Sequence, residues 1–285
     1  MLGKNSTICI AGKNKCAIEA LSFVKKKYNK FNILALPNKS DNNKDGWQKS
    51  FKKFAKKKKI KITNLNELYS IKDLILFSLE FEEILDIKKF KSNKLFNFHF
   101  SLLPKYRGCH TNFYQIFLGE KKSGVTLHKI EKGIDTGKII DFISYSIPIN
   151  LTAHENYLKL LNKSVVLFKR NLKKILNNKY KSKKQNLNNG SYFSRKSVNY
   201  KKLKIIKEID NKLKTHNKIR SLIFKPFQLP IYNGRKIKKS LYKNKKIKLL
   251  YPLKKGSLNY RLWKKYYKGA SGLMGLRIKS SKKNV

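Results

Sequence analysis

The chain has 285 residues, with 68 lysines and arginines against 16 aspartates and glutamates, for a net charge of +52. Its hydrophobic share of 40% and aromatic share of 12% exclude a charge-expanded disordered chain and leave room for a full core. No apolar run reaches transmembrane length and Thr7–Gly12 has only the length of a strand, so neither a membrane span nor a secretory leader is expected.

Cys9, Cys16 and Cys109 show neither metal spacing nor an even disulfide framework, which points to a reducing, cytoplasmic compartment. Only seven of the basic residues are arginine, whereas lysine, asparagine and isoleucine are inflated together along the whole chain. Nucleic-acid sites lean on arginine for bidentate contacts. Compositional drift is therefore favoured over a polyanion-binding surface, and no dedicated nucleic-acid partner is expected.

In chain order, a strand over 7–12 leads to a helix over about 15–27 with Ala17, Leu21 and Val24 on one stripe, then to a strand over 31–36 that ends at Pro37. This βαβ opening predicts a mostly parallel sheet. The G-K-N-K run from Gly12 to Lys15 lacks the other glycines of a dinucleotide fingerprint, so a Rossmann-like topology is expected without NAD or FAD. Residues 38–45 are polar and turn-rich. The spacing of Trp47, Phe51 and Phe54 predicts one face of a helix over 47–59, docked on the sheet. The run DLILFSLEF over 73–81 reads as a buried strand emerging into a loop, where open α/β sheets bind ligands.

Asn97 and His99 share one face of the next strand because residues two apart in an extended chain point the same way. A turn-forming SLLPKYRG loop follows, with Pro104 restricting the backbone and Gly108 allowing a tight bend. Asp135 lies in a G-I-D-T-G loop between two further strand-like runs. An amide, an imidazole and a carboxylate form a compact kit for acyl or formyl transfer. His110, His128 and His154 fit no metal pattern, and His128 is expected on a strand flank; no metal is expected.

Beyond Asp141 a strand runs to about Ile149, and Thr152 with Glu155 forms a capping box for a helix to about Leu176. Residues 177–189 read as an exposed polar connection. A helix is expected over 199–213. Phe224, Phe227 and Tyr232 beside Arg220 either pack a small subdomain or stack on a base. The expected organisation is a catalytic domain over 1–189, a small subdomain over 190–252 and a basic tail over 253–285. With glycines at 269, 272 and 275, that tail is read as an oligomer contact, a membrane-surface patch or a frayed extension.

The ordered blocks N-x-H-x-S-L-L-P-x-Y-R-G, S-G-V-T-L-H and G-I-D-T-G resemble the catalytic core of the 10-formyltetrahydrofolate-dependent formyltransferases, over roughly the first two thirds of the chain. The resemblance implies an α/β, Rossmann-like formyltransferase domain with a mostly parallel sheet, plus a small C-terminal subdomain. It implies 10-formyltetrahydrofolate as formyl donor, held by the loop over 77–85 through Phe77, Leu79, Phe81, Ile84 and Leu85. Asn97 would donate to the developing oxyanion, worth ~3 kcal/mol for one well-placed donor. His99 would take a proton or help that oxyanion, and Asp135 would orient His99 and favour its cationic form.

After R-G the chain continues Cys109, His110, Thr111, Asn112 and Phe113. That is similar to the nucleotide-sugar N-formyltransferases, which act on dTDP- or GDP-linked amino sugars feeding lipopolysaccharide or capsule. Methionyl-tRNA formyltransferases, the alternative, resemble one another in small residues and proline there. On the sugar reading, Lys105, Tyr106, Arg107, His110, Thr111 and Asn112 hold the sugar and its pyrophosphate, with Arg107 as the phosphate fork. The resemblance also implies a homodimer.

Overall fold

The computed structural model describes residues 6–206, 211–225 and 227–252. The basic tail expected over 253–285 lies outside the described residues.

Strand β1 (Thr7–Gly12) leads through α1 (Asn14–Lys27) to β2 (Asn32–Pro37), α2 (Phe51–Lys57), β3 (Lys61–Ile62), α3 (Leu65–Tyr69), β4 (Leu74–Leu79) and β5 (Lys94–His99). After β6 (Arg107–Gly108) and α4 (Thr111–Phe117), β7 (Lys122–Lys129), β8 (Ile139–Ser146) and α5 (Ala153–Leu176) complete the main unit. The seven-stranded sheet has the order β3-β2-β1-β4-β5-β7-β8. It is parallel from β3 to β5, and β7 and β8 close it in antiparallel fashion. The α/β, mostly parallel sheet expected from the βαβ opening is present.

Central strands β1 and β4 are buried along their whole length, which is why TICIAG and LILFSL are nearly continuous apolar runs without alternation. One face of the sheet packs α1 and α5 through Ala17, Leu21, Val24, Leu160 and Phe168, and the other packs Leu68, Leu74, Leu76 and Phe90. Helix α5 opens with the expected capping box: Thr152 accepts from the Glu155 backbone while Glu155 accepts from the Thr152 N–H. Among the described residues no helix is long and apolar enough to cross a membrane.

Two local expectations shift. The helix read over 47–59 begins only at Phe51, because Ser50 caps it and is itself fixed by Asp41 and Asp45, so local side-chain bonds compete with an earlier start. Trp47 thus leaves the helix face and packs edge-on against Phe224 and Phe227. The connection over 177–189 is pinned to the sheet, since Lys183 exchanges both backbone hydrogen bonds with Ile139 and Gln185 is buried.

The helix expected over 199–213 is interrupted. After β9 (Tyr192–Phe193), that stretch holds α6 (Tyr200–Leu203), β10 (Ile205–Ile206) and the start of α7 (Lys212–Leu222), followed by β11 (Ile231–Tyr232), β12 (Arg235–Lys236), β13 (Lys239–Lys243) and β14 (Lys246–Leu250). Strand β9 pairs with β6, and Ile219, Leu222 and Ile223 share a core with Phe113 of α4, so this region is packed onto the main unit. Arg220 is buried and donates to the Leu151 carbonyl, and Tyr232 joins the same small core.

Candidate active site

The ends of β5 and β7 bring the key side chains together. Antiparallel register sets Asn97 directly opposite His128, so both project from one face of the sheet. The Asn97 amide donates to Asp135 Oδ1 at 3.2 Å and lies 3.2 Å from His128 Nε2. His128 Nδ1 donates to the Lys129 carbonyl at 2.7 Å, which leaves Nε2 turned toward Asn97 and 3.5 Å from Asp135 Oδ1.

His99 is held by its other edge. Its Nε2 donates to the Tyr106 carbonyl at 2.7 Å, and a carbonyl can only accept, so the proton of the neutral ring resides there. Nδ1 is left with its lone pair 3.4 Å from Asp135 Oδ2, and a proton arriving at Nδ1 meets a carboxylate at once.

The loop that carries Asp135 is held in place from a distant segment. Asp135 has a left-handed backbone, φ +54°, and Gln185 donates to its carbonyl at 3.0 Å and to that of Gly137 at 2.7 Å. Gly137 is required there because a Cβ would sit 1.9 Å from the Lys129 carbonyl oxygen. Asp135 Oδ2 also accepts from the Gly108 N–H at 2.9 Å, which ties the carboxylate to the SLLPKYRG loop. Burial pushes the Asp135 carboxyl up, but the charges of His99 and His128, the hydrogen bond to His128 and the Gly108 N–H outweigh it and hold the group well below the usual carboxylate range.

These groups border a cleft of about 840 Å³. Phe81, Ile84, Leu85, Ile130 and Ile134 form an apolar part of its lining, and Gly108 to Asn112, Tyr157, Tyr192 and Arg195 contribute a more polar part. Of the residues singled out in the sequence, Asn97, His99, Asp135, Phe81, Ile84, Leu85, His110, Thr111 and Asn112 all line it.

Four others do not. Phe77 and Leu79 are fully buried against the α1/α5 face, because alternation on a two-sided strand sends those positions into the core and leaves Ser78 and Glu80 at the cleft. Lys105 pairs with Glu120 at 3.6 Å, away from the lining. Arg107 is outside it too, its backbone engaged with β9 and its Nε buried without a partner, whereas Arg195 does line the cleft. Tyr106 is likewise outside: its hydroxyl donates to Glu120 at 2.8 Å, and it reaches the site only through the carbonyl that holds His99.

Reading the sequence missed His128, Gln185, Arg195 and Glu80. His128 had a weak signal, its strand-like GVTLHKI setting, but only the pairing register puts it opposite Asn97.

Residues 82–177 match the family described as formyl transferase. The fold is similar to that of WlaRD, a sugar 3N-formyl transferase solved in the presence of dTDP and 5-N-formyl-THF: 47% identity, TM-score 0.79, covering 85% of this chain and 88% of that one. It is similar also to an N-formyltransferase from Helicobacter canadensis in complex with folinic acid and dTDP-3-aminofucose, at 44% identity and TM-score 0.79, covering 84% of this chain and 88% of that one. Among curated relatives, 117 residues are 40% identical to the bifunctional polymyxin resistance protein ArnA of Wigglesworthia glossinidia brevipalpis, over 40% of this chain and 18% of that protein. The match thus spans less than a fifth of that relative's length.

Proposed function

The chain belongs to the formyltransferase family, and from that premise we propose that it transfers a formyl group from 10-formyltetrahydrofolate to the amine of a nucleotide-linked amino sugar. The observation that carries the reading is the convergence of Asn97, His99 and Asp135 on the lining of one cleft. The dTDP and dTDP-3-aminofucose held by the two similar enzymes support the choice of acceptor.

The apolar part of the lining suits a flat pterin. Phe81, Ile84, Leu85, Ile130 and Ile134 supply its walls. The bound folate would supply the formyl group. Elsewhere in the lining, Thr111, Asn112 and Arg195 offer donors for a sugar and its phosphates, His110 holds the Arg195 carbonyl and the Tyr200 hydroxyl, and the +52 field draws such anions in.

The Asn97 amide, whose N–H groups face Asp135 and His128 in the unliganded site, would turn one N–H to the formyl oxygen as that oxygen gains negative charge on attack by the amine. His99 Nδ1 takes the proton that the amine loses, and Asp135, ionised and already within 3.4 Å, stabilises the resulting imidazolium. His128 and the Gly108 N–H fix the carboxylate so that little reorganisation is needed.

The test is a purified assay with 10-formyltetrahydrofolate and, in parallel, dTDP-3-amino-dideoxysugars and charged initiator tRNA. Formylation of the sugar is expected. Formylation of the tRNA alone would replace this reading with the tRNA one.

A further inference from the structure

Glu80 is the carboxylate of the cleft that the transfer chemistry leaves without a task. It follows β4 directly, two residues beyond Ser78, which pairs with Asn97 of β5 in parallel register, and it lines the same cleft as His99. Its backbone is left-handed, φ +61°, a conformation that costs an ordinary side chain energy and is retained here beside the reaction centre.

Its two oxygens are treated differently. Oε2 accepts both from the Asn14 amide and from the Tyr157 hydroxyl, the latter at 2.7 Å. Tyr157 is fixed in turn by Gln48, which donates to its hydroxyl at 2.7 Å. Oε1 receives no hydrogen bond from any described residue, and Glu80 lines the cleft. Among the described residues it forms no ion pair, in a chain with 68 basic side chains.

Neighbouring carboxylates are engaged otherwise, Glu82 by Ser40 and Glu83 by Lys39. Glu80 is half-buried and Oε1 opens to the cleft, so a ligand group there can meet an oxygen that no described side chain engages. Burial pushes the Glu80 carboxyl up, with Lys13, Tyr157 and Asn14 only partly opposing.

We propose that Glu80 Oε1 binds the acceptor's amino group in its ammonium form and so selects amine-bearing sugars over their hydroxyl counterparts; the bound ammonium releases one proton to solvent to become the nucleophile, and His99 takes the proton lost on attack. The proposal deepens the acceptor reading above and rests on it. A charged donor is the ligand group that matches a half-buried carboxylate, and a charge-assisted hydrogen bond is about twice as strong as a neutral one.

The experiment is calorimetric titration of the full-length enzyme and its Glu80→Gln variant with three probes: dTDP, a dTDP-3-amino-dideoxysugar and the matching 3-hydroxy sugar. The wild type should prefer the amino over the hydroxy sugar by ~10-fold, and Glu80→Gln should bring that preference below ~3-fold, with dTDP affinity unchanged. An unchanged preference in Glu80→Gln overturns the role of Glu80 while leaving the formyltransferase reading intact. A wild type that binds neither sugar overturns both. Should Glu80→Gln fail to fold, a crystal structure of the wild type with the amino sugar decides: the amine within hydrogen-bond distance of Oε1 supports the role, and an amine directed elsewhere sinks it.

Discussion

The proposed reaction centre and the proposed acceptor site are built on different supports. Asn97, His99 and His128 stand on β5 and β7, strands of a seven-stranded sheet whose neighbours are packed on both faces. The wall of the proposed acceptor site hangs instead on the SLLPKYRG loop and on the two-residue pair of β6 with β9, which joins the loop to a segment about ninety residues away in sequence. Chemistry sits on the rigid element and recognition on the adjustable one. The difference teaches that the transfer step tolerates almost no change in position, whereas acceptor choice can vary through loop residues without disturbing the core. Asp135 is the bridge, bonded to Asn97 on one side and to the Gly108 N–H on the other.

Several changes break or sharpen that contrast. Asn97→Ala and His99→Ala remove the proposed oxyanion donor and proton acceptor from the rigid side, so each should lower kcat by at least ~100-fold with nucleotide-sugar affinity largely kept. Single-turnover kinetics beside equilibrium binding checks this, and near-wild-type turnover in both variants would sink the assigned roles.

Gly108→Ala strikes the adjustable side. Gly108 has φ +87° and a Cβ there would lie 2.3 Å from the Phe193 carbonyl oxygen, so β6 must part from β9. The acceptor KM should rise ~10-fold or more while folate binding stays within ~2-fold. A rise confined to the folate KM would refute this division.

Asp135→Asn tests the bridge through pH. The Asp135 carboxyl is lower in the folded chain than its unfolded value of about 4. Its charge therefore contributes stability that is fully present above that value and is lost as pH falls through the lower, folded one. The variant should show a flatter decline of thermal stability below about pH 4 than the wild type. Parallel acid limbs in the two proteins would show that the carboxylate is not held by its histidine neighbours.

The smallest effect is expected at Lys105→Ala. Lys105 faces Glu120 rather than the cleft, and the exposed pair is worth little, so KM for the acceptor should stay within ~2-fold of wild type. A large loss would return Lys105 to the phosphate site that the sequence suggested for it.

Much of the fold was legible because its signals are local. The apolar runs of β1 and β4, the stripe of α1 and the Thr152–Glu155 box each depend on residues within a few positions of one another. Where the reading slipped, a local rule met a nonlocal competitor. Phe77 and Leu79 occupy the expected strand, yet alternation on a strand buried from both faces turns them into the core and presents Ser78 and Glu80 to the cleft. Trp47 has helical spacing to Phe51, but Ser50 and its aspartate partners start the helix after it.

By itself, the sequence determined the chemical kit, Asn97, His99 and Asp135, and the parallel α/β frame that delivers it, because residue type and short-range periodicity are properties of the chain alone. Only the tertiary structure decided that His128 faces Asn97, that Gln185 clamps the Asp135 loop and that Arg195 rather than Arg107 reaches the cleft. Each of these follows from pairing register or from contacts between distant segments, and a one-residue slip in register would turn every side chain of β7 to the opposite face.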